Sequence, residues 1–184
     1  MEFEVLGGPG VGPTLNLDHR RFRYAGKFVM SNTGKAVARE GGKIVAAAAF
    51  NRDRTDPDAA WIRYVTVCDD RRGDGIGADL AAFVAGHLLE DAERVRIAVN
   101  NPFSYEALYK AGFGFTGEHT GIAELVLSRP GDRSREAYRA GLSAFGERDD
   151  LADEEEAFIE EKAEGEPPEP ISGAGGEASN HPSP

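Results

Sequence analysis

Two arginines and three glycines separate an apolar run from a helical pattern in the segment V-C-D-D-R-R-G-D-G-I-G-A, residues 67–78. Glycines at the head of a helix let the main chain approach a ligand and turn its amide groups towards it. The amides that open a helix lack intrahelical acceptors, and the helix dipole favours negative charge there. The segment therefore predicts a phosphate-binding loop, to which Arg71 and Arg72 can add charge-assisted hydrogen bonds.

The residues around this loop argue against two common nucleotide sites. A P-loop needs lysine followed by serine or threonine after its last glycine, whereas Ala78 and Asp79 follow Gly77 here. A dinucleotide fingerprint lies in the first strand-helix unit of a parallel sheet, and this loop follows strands predicted to be antiparallel. Because Asp74 would repel a phosphate, we expect its carboxylate to cap the helix instead. The remaining interpretation is a diphosphate held by backbone amides.

Upstream of the loop, apolar runs bounded by turn residues predict antiparallel strands. The first is F-E-V-L, near the N-terminus. Two more flank E-G-G-K, where Gly-Gly supplies the positive φ angles of a tight hairpin, and A-A-W-I-R-Y-V-T-V adds a further paired strand. Between the first of these strands and the hairpin, residues 14–28 show a weak helical periodicity, which predicts a helix there.

Downstream of the loop, the pattern predicts helices and strands in alternation. Apolar residues recur at steps of three and four over residues 76–91, which is typical of an amphipathic helix, and the strand R-V-R-I-A-V then implies a parallel crossover. The next helix has Asn101 as its N-cap, Pro102 at its first position and Gly112 after its end. A last hairpin around residues 118–121 completes an α+β fold, an α/β sandwich whose mixed, mostly antiparallel sheet carries helices on both faces.

These residues resemble the GNAT family of N-acetyltransferases. The family's acetyl-CoA signature, Q/R-x-x-G-x-G/A between the fourth strand and a helix, has its fixed positions at Arg72, Gly75 and Gly77. The family also has an asparagine followed eleven residues later by Gly-Phe, as Asn101 is here. The resemblance covers roughly residues 35–129. It implies a GNAT-like acyl-CoA N-acyltransferase fold and transfer of the acetyl group of acetyl-CoA to a primary amine by direct attack.

The resemblance also implies which residues bind the coenzyme. The loop amides would hold the pyrophosphate, and the preceding strand would pair with the pantetheine arm. Asn101 would bind that arm from the other side. The implied residues are Val65, Val67, Arg72, Gly73, Asp74, Gly75, Ile76, Gly77, Ala78 and Asn101. Acetyl-CoA is thus the expected cosubstrate. No metal is expected, because the histidines and the single cysteine show no metal-ligand spacing.

The catalytic groups depart from the family pattern. The family often has a tyrosine four residues before the glycine of Gly-Phe, but that position is Leu108 here and Tyr109 comes one place later. One residue turns a helical side chain by about 100°, so Tyr109 is the catalytic acid only if the helix end is distorted, and otherwise an ordinary aromatic. The usual glutamate before the loop is also absent. Candidate bases on the last strands are Glu118, His119 and Glu124, and a catalytically inactive acyl-CoA-binding or sensing module is the alternative function.

Composition limits the class of protein. A chain of 184 residues that is 40% hydrophobic can bury one ordinary core. It contains no run of about eighteen apolar residues and begins without the layout of a signal peptide, which predicts a cytoplasmic protein with no membrane partner. Cys68 has no recognisable histidine-acid pair beside it, so it is predicted to be a small buried residue and not a nucleophile.

Charge divides the chain into three predicted parts. Residues 130–184 carry 15 acidic and 5 basic side chains, nearly all of the net charge of −11. We predict an acetyltransferase domain over residues 1–129, a loosely attached, partly helical acidic appendage over 130–162, and a disordered tail over 163–184. The near-neutral body and acidic tail argue against nucleic acid. A tail that recruits a partner is a third hypothesis. The acceptor is expected to be a small-molecule or peptide amine, but the sequence does not identify it. The oligomeric state is also open, and a homodimer is one possibility.

Overall fold

A seven-stranded sheet is the centre of the computed structural model, which describes residues 1–121 and 123–172. Its strands are β1 (Glu2–Gly7), β2 (Gly34–Glu40), β3 (Lys43–Arg52), β4 (Ala59–Val67), β5 (Arg94–Val99), β6 (Gly114–Thr120) and β7 (Glu124–Arg129). They lie in the order β1-β2-β3-β4-β5-β7-β6. β4 and β5 pair in parallel, and the other neighbouring pairs are antiparallel. The predicted mixed, mostly antiparallel sheet is confirmed.

Four α-helices in the described residues accompany the sheet, and the first of them packs on it through small and branched apolar side chains. The helices are α1 (Ile76–Leu88), α2 (Pro102–Lys110), α3 (Arg135–Gly146) and α4 (Asp153–Lys162). α1 lies across β1 to β4 and buries Leu80, Ala81 and Val84 completely. It ends at Leu88, earlier than the predicted limit near residue 91. In the described part of the chain, no helix is both long and apolar enough to cross a membrane.

The predicted helix over residues 14–28 is wrong. Helical structure in that range is limited to a 3-10 helix at Ala25–Val29, and the preceding residues form turns and irregular backbone. Apolar side chains anchor the segment to the core. Their spacing fits no helical face, and irregular backbone allows all of them to be buried. These buried side chains are Leu15, Leu17, Phe22 and Phe28.

The turn and cap signals predicted from the sequence are confirmed. In the β2-β3 hairpin, Gly41 and Gly42 have φ angles of 55° and 78°, the left-handed values that a two-residue loop requires. Asn101 caps α2, because its Oδ1 accepts a hydrogen bond of 2.8 Å from the amide of Ser104. Gly112 follows the end of α2 with a φ of 92°. These local rules place the start and end of α2 beside the end of β5.

The chain after β7 belongs to the core. We call α3, α4 and the residues up to 172 the C-terminal arm. Tyr138, Leu142 and Phe145 of α3 are buried in the same apolar cluster as the sheet. Residues after α4 also bind the body, since the amide of Ile171 donates to the carbonyl of Lys110 at 2.8 Å. The predicted loose attachment and the predicted disorder are therefore wrong up to residue 172, and residues 173–184 lie outside the described ranges.

Candidate active site

A groove opens where β4 and β5 stop pairing. Their parallel register runs from Ala59 and Arg94 to Ile62 and Ile97, although β4 continues to Val67 and β5 extends two residues further as well. Within the described ranges, the facing edges beyond this point therefore expose backbone groups that no strand pairs with. The groove has a volume of about 850 Å³, within the roughly 300 to 1,000 Å³ of small-molecule sites.

A β-bulge at Arg63 marks the point where the two strands separate. Phe50 pairs with Ile62 and Ala49 with Tyr64, so Arg63 is the extra residue on β4. Bulges bend and twist a strand, interrupt its ladder and re-aim a side chain, and they are common next to active sites. The bulge thus sets both the depth of the groove and the direction of the residues that follow it.

Beyond the bulge, alternation along β4 gives its two faces different partners. Val67 faces α1, since its Cγ2 lies 3.4 Å from the place that a Cβ would occupy on Gly77. Val65, two residues earlier, shares that face. Tyr64 and Thr66 lie on the opposite face. All four residues of β4 line the groove, which is therefore reached from both faces of the sheet.

The predicted phosphate loop forms one end of the groove. Gly73 and Gly75 take φ angles of 88° and 82°, which favour glycine, and Gly75 is the N-cap of α1 without a side-chain cap bond. Among the described residues, no oxygen accepts a hydrogen bond from the amides of Ile76, Gly77 or Ala78. Three unpaired donors and the positive end of the α1 dipole therefore meet at this position, an arrangement that suits a bound anion.

The prediction that Asp74 caps α1 is wrong. Its Oδ2 accepts a hydrogen bond of 2.7 Å from Nε of Arg71, three residues earlier. Gly75 provides the N-cap by its left-handed backbone alone, so the carboxylate turns away, and Asp74 is not among the residues that line the groove. Arg72, which does line it, pairs with Asp69 at 2.7 Å. Both acidic side chains are therefore paired with arginines of the same loop.

The structure brings together all the other residues implied for coenzyme binding. Those that line the groove are Val65, Val67, Arg72, Gly73, Gly75, Ile76, Gly77, Ala78 and Asn101. Part of the hydrogen-bonding capacity of Asn101 is already used, because its Nδ2 donates to Oγ of Ser104 at 3.1 Å while its Oδ1 caps α2. Its proposed contact with the coenzyme stays a prediction.

Tyr109 does not face the groove. Its side chain is fully buried, its hydroxyl accepts a hydrogen bond of 3.0 Å from the amide of Phe115, and the guanidinium of Arg133 lies 5.3 Å from its ring centre. Burial raises the pKa of this phenol. Leu108 takes the place on the groove wall. The one-residue shift has turned Tyr109 into the core, so the structure contradicts its placement at the reaction centre.

Among the described residues, two carboxylates line the groove, Glu106 and Glu124. Glu106, which sequence reasoning missed, is buried, accepts a hydrogen bond of 2.6 Å from the hydroxyl of Tyr138 and lies 3.7 Å from Nζ of Lys162. Both partners come from the C-terminal arm, more than thirty residues away, so no local pattern signals this role. Of the other predicted bases, Glu118 pairs with an arginine of β5 and, like His119, does not line the groove.

Cys68 should be unreactive in the folded protein. The residue is fully buried before the loop, and burial, followed by the nearby Asp70, raises the pKa of its thiol. Because the thiolate is the reactive form, we expect iodoacetamide at pH 8 to leave native Cys68 unlabelled and to alkylate it completely in denaturant, as measured by intact mass. Rapid labelling of the native protein would instead revive a nucleophilic role.

Comparison with known proteins agrees with the geometry. Residues 12–115 match the family model described as acetyltransferase (GNAT) family. The chain belongs to the GNAT acetyltransferase family. No curated protein matches it significantly. Within the described residues of this GNAT protein, no group of three or more His, Cys, Asp or Glu side chains is placed to hold a metal ion.

Solved structures similar to this GNAT protein share little sequence identity with it. A GNAT-family acetyltransferase from Desulfovibrio desulfuricans has 13% identity and a TM-score of 0.45, with 52% of this chain and 66% of that chain covered. A Bacillus subtilis acetyltransferase in complex with CoA has 16% identity and a TM-score of 0.46, with 52% and 75% covered. One from Elizabethkingia anophelis with acetyl-CoA bound has 18% identity and a TM-score of 0.44, with 52% and 74% covered.

The GNAT family match ends inside β6, before the C-terminal arm begins. The arm nevertheless reaches the groove, because Phe158 of α4 lines it and lies 4.9 Å from Phe103 of α2 between ring centres. One wall of the groove in this GNAT protein is therefore built from residues outside the matched segment.

Proposed function

We propose that this GNAT protein is an N-acetyltransferase that transfers the acetyl group of acetyl-CoA to a primary amine by direct attack in a ternary complex. The observation that carries the proposal is the start of α1, where three unpaired amides open onto the groove between β4 and β5. The relatives from Bacillus subtilis and Elizabethkingia anophelis, which are described with CoA and acetyl-CoA, are consistent with it.

Each end of the groove suits a different part of the coenzyme. The amides of residues 76–78 would hold the pyrophosphate, with Arg72 beside them. A charge at a helix start gains about 0.3 to 1 kcal/mol, and a hydrogen bond to a charged group about 1.5 to 3 kcal/mol, so several such contacts give useful affinity. The unpaired edge of β4 at Val65 and Val67 would bind the amides of the pantetheine arm as a neighbouring strand does, with Asn101 opposite.

Proton transfer is the remaining requirement of the reaction. An amine with a pKa near 10.4 is neutral in only about one molecule in 2,500 at pH 7, so its nitrogen must lose a proton before it attacks. The neutral nitrogen then forms a C–N bond with the acetyl carbon, and the C–S bond breaks. The CoA thiolate takes up the second proton, which the nitrogen loses as the amide forms. Glu124 is the groove carboxylate that has no ion-pair partner among the described residues, and we assign it as the proton acceptor, directly or through water. Tyr24 and Tyr64 are the phenols that line the groove.

The test is release of free thiol from acetyl-CoA in the presence of amines. We expect thiol release that requires both protein and acceptor when the chain is incubated with amino acids, peptides, polyamines and amino sugars, and an acceptor heavier by one acetyl group in mass spectrometry. A reaction without acceptor controls for hydrolysis. No thiol release with any amine would overturn the transferase proposal.

A catalytically inactive acyl-CoA sensor is the second candidate. The burial of Tyr109, which leaves Leu108 where relatives often carry the acid, favours it. Calorimetry separates the two functions, because a sensor would bind acetyl-CoA saturably and release no thiol under the same conditions.

A further inference from the structure

A second set of groove residues lies on the face of β4 opposite α1. The side chain of Arg63 stacks on Trp61, with 4.8 Å from Cζ to the ring centre, and its Nε donates to Oδ1 of Asn51 at 2.8 Å. Trp61 and Asn51 are paired, and alternation places them on the same face as Tyr64 and Thr66. The bulge therefore turns Arg63 away from α1 and towards the opposite mouth of the groove.

The segment around the 3-10 helix closes this mouth. Tyr24 lies 6.3 Å from Tyr64 between ring centres, and the edge of Phe28 lies against Tyr64 with 6.5 Å between ring centres. Nζ of Lys27 lies 5.7 Å from the centre of the same ring. We define the acceptor recess as the groove-lining residues Arg23, Tyr24, Arg63, Tyr64 and Thr66. Its far end, Arg63, lies about 13 Å along β4 from Val67, where the phosphate loop begins, at roughly 3.3 Å per residue.

The arginines of the groove differ between its two ends. Arg71 and Arg72, beside the phosphate loop, are each paired with a carboxylate. Arg23 and Arg63, in the acceptor recess, have no carboxylate within 4.0 Å in the described part of the chain. The acid whose charge acts on Arg63 is Asp53, and that carboxylate accepts hydrogen bonds from Trp61 and from turn amides. Two guanidinium groups therefore remain available at the recess of an acidic protein.

Two further features of the recess point to a ligand. Thr66 is 4% exposed, and among the described residues its Oγ1 has no hydrogen-bond partner although the residue borders the groove. Buried hydroxyls are normally paired, so this one leaves an unsatisfied polar atom in the wall of the recess. Tyr24 has a φ of 60°, an unfavourable backbone conformation for a bulky residue. This conformation keeps its ring, which is 57% exposed, at the mouth of the recess.

We propose that the acceptor is an amine that also carries an oxyanion, a carboxylate or a phosphate, which Arg23 and Arg63 bind. The proposal rests on the proposed function and names its substrate class. The planar guanidinium matches the geometry of both oxyanions, and the rings of Tyr24 and Tyr64 cover the apolar part of the molecule. Glu124, on β7 across the groove, is the groove acid left for the amine. Polyamines and other polycations are poor acceptors for this recess.

Matched amines test the charge requirement. β-Alanine and 2-aminoethyl phosphate carry the two oxyanions. Their neutral counterparts, propylamine and ethanolamine, have an uncharged group in place of the oxyanion, and 1,3-diaminopropane has a second cationic amine there. We expect kcat/KM at least about 10-fold higher for one of the oxyanion amines than for its neutral counterpart, with the diamine lowest. The carboxylate and phosphate arms decide which oxyanion is preferred. Equal rates for charged and neutral amines would overturn the proposal and leave the transferase function intact.

The variant Arg63→Gln tests the recess itself. It should raise KM for the oxyanion amine about 10- to 100-fold, change KM for the neutral amine much less and preserve the affinity for CoA. Arg20→Gln is the matched control, because it removes the same charge from an exposed residue that does not line the groove. Arg63→Lys should recover part of the loss. An equal loss for charged and neutral amines would mean that Arg63 only supports the bulge.

Binding measurements keep the proposal testable if no acceptor is turned over. Calorimetric titration of the CoA-saturated protein with the same amines should show tighter binding of an oxyanion amine than of its neutral counterpart, and Arg63→Gln should remove the difference. Absence of that difference would overturn the proposal. Failure of turnover alone would count against the transferase function and not against the recess.

Discussion

Gly141→Ala should destabilise the protein by about 1 to 3 kcal/mol, the usual cost of overpacking a core. The sign is opposite to that of most helical sites, where alanine is favoured over glycine by about 1 kcal/mol. A Cβ on Gly141 would fall within 2.6 Å of Cε2 of Tyr105 and still closer to its Cζ and hydroxyl oxygen. Tyr105 has no room to move, because it is fully buried and its hydroxyl donates to the carbonyl of Tyr138 at 2.9 Å. Urea unfolding at pH 7 measures the change.

Gly146→Ala is the matched control on the same helix. Its Cβ would lie 3.8 Å from Cγ2 of Ile159, an ordinary van der Waals contact. We expect unchanged or slightly increased stability, as helix propensity predicts. If Gly141→Ala were as stable as Gly146→Ala, α3 would not be packed against α2 as described.

The close packing of α3 on α2 changes how the C-terminal segment can be used in experiments. A truncation after Arg129 would remove Tyr138, Leu142 and Phe145 from the shared core, each side chain contributing about 1.5 to 3 kcal/mol by burial. Their sum is comparable with the roughly 5 to 15 kcal/mol that stabilises a whole domain. Such a truncation therefore cannot separate partner recruitment from folding, and point variants on exposed positions of the C-terminal arm are the cleaner test.

Gly77→Asp should abolish measurable CoA binding without loss of stability. Gly77 is the second residue of α1 and lines the groove between two other unpaired amides. A carboxylate in the first turn stabilises a helix by about 0.3 to 1 kcal/mol, so we expect an equal or higher melting temperature. The same carboxylate would lie beside the bound anion, and like charges about 4 Å apart repel by about 4 kcal/mol at an effective dielectric of 20. Calorimetry should show a loss in affinity of at least about 100-fold.

Gly77→Ala separates charge from bulk in this experiment. Its Cβ would meet Cγ2 of Val67 at 3.4 Å, which ordinary contact allows. We expect the alanine variant to keep most of its CoA affinity. Equal binding by the alanine and aspartate variants would place the pyrophosphate somewhere other than the start of α1, and the assignment of the groove would fail with it.

Local sequence rules predicted the parts of the site that depend on backbone conformation. Glycines at positions with positive φ gave the phosphate loop and the β2-β3 hairpin, and the cap at Asn101 gave the start of α2. The same rules failed at Asp74. Gly75 is the N-cap, so the carboxylate of Asp74 is free to accept a hydrogen bond from Arg71, three residues earlier. Charge counting failed for α3, since a net charge says nothing about the apolar stripe that the helix buries.

The sequence by itself determined the order of the strands and of the helices that follow the phosphate loop, the glycine-rich start of α1 and membership of the GNAT family, because each depends on residues close together in the chain. Only the tertiary structure decided what surrounds the reacting atoms. It turned Tyr109 into the core, directed Arg63 to the face opposite α1 through a bulge, and placed Phe158 on the groove wall. Which side chain reaches a groove depends on strand register and on contacts between distant segments, and neither is encoded in the spacing of neighbouring residues.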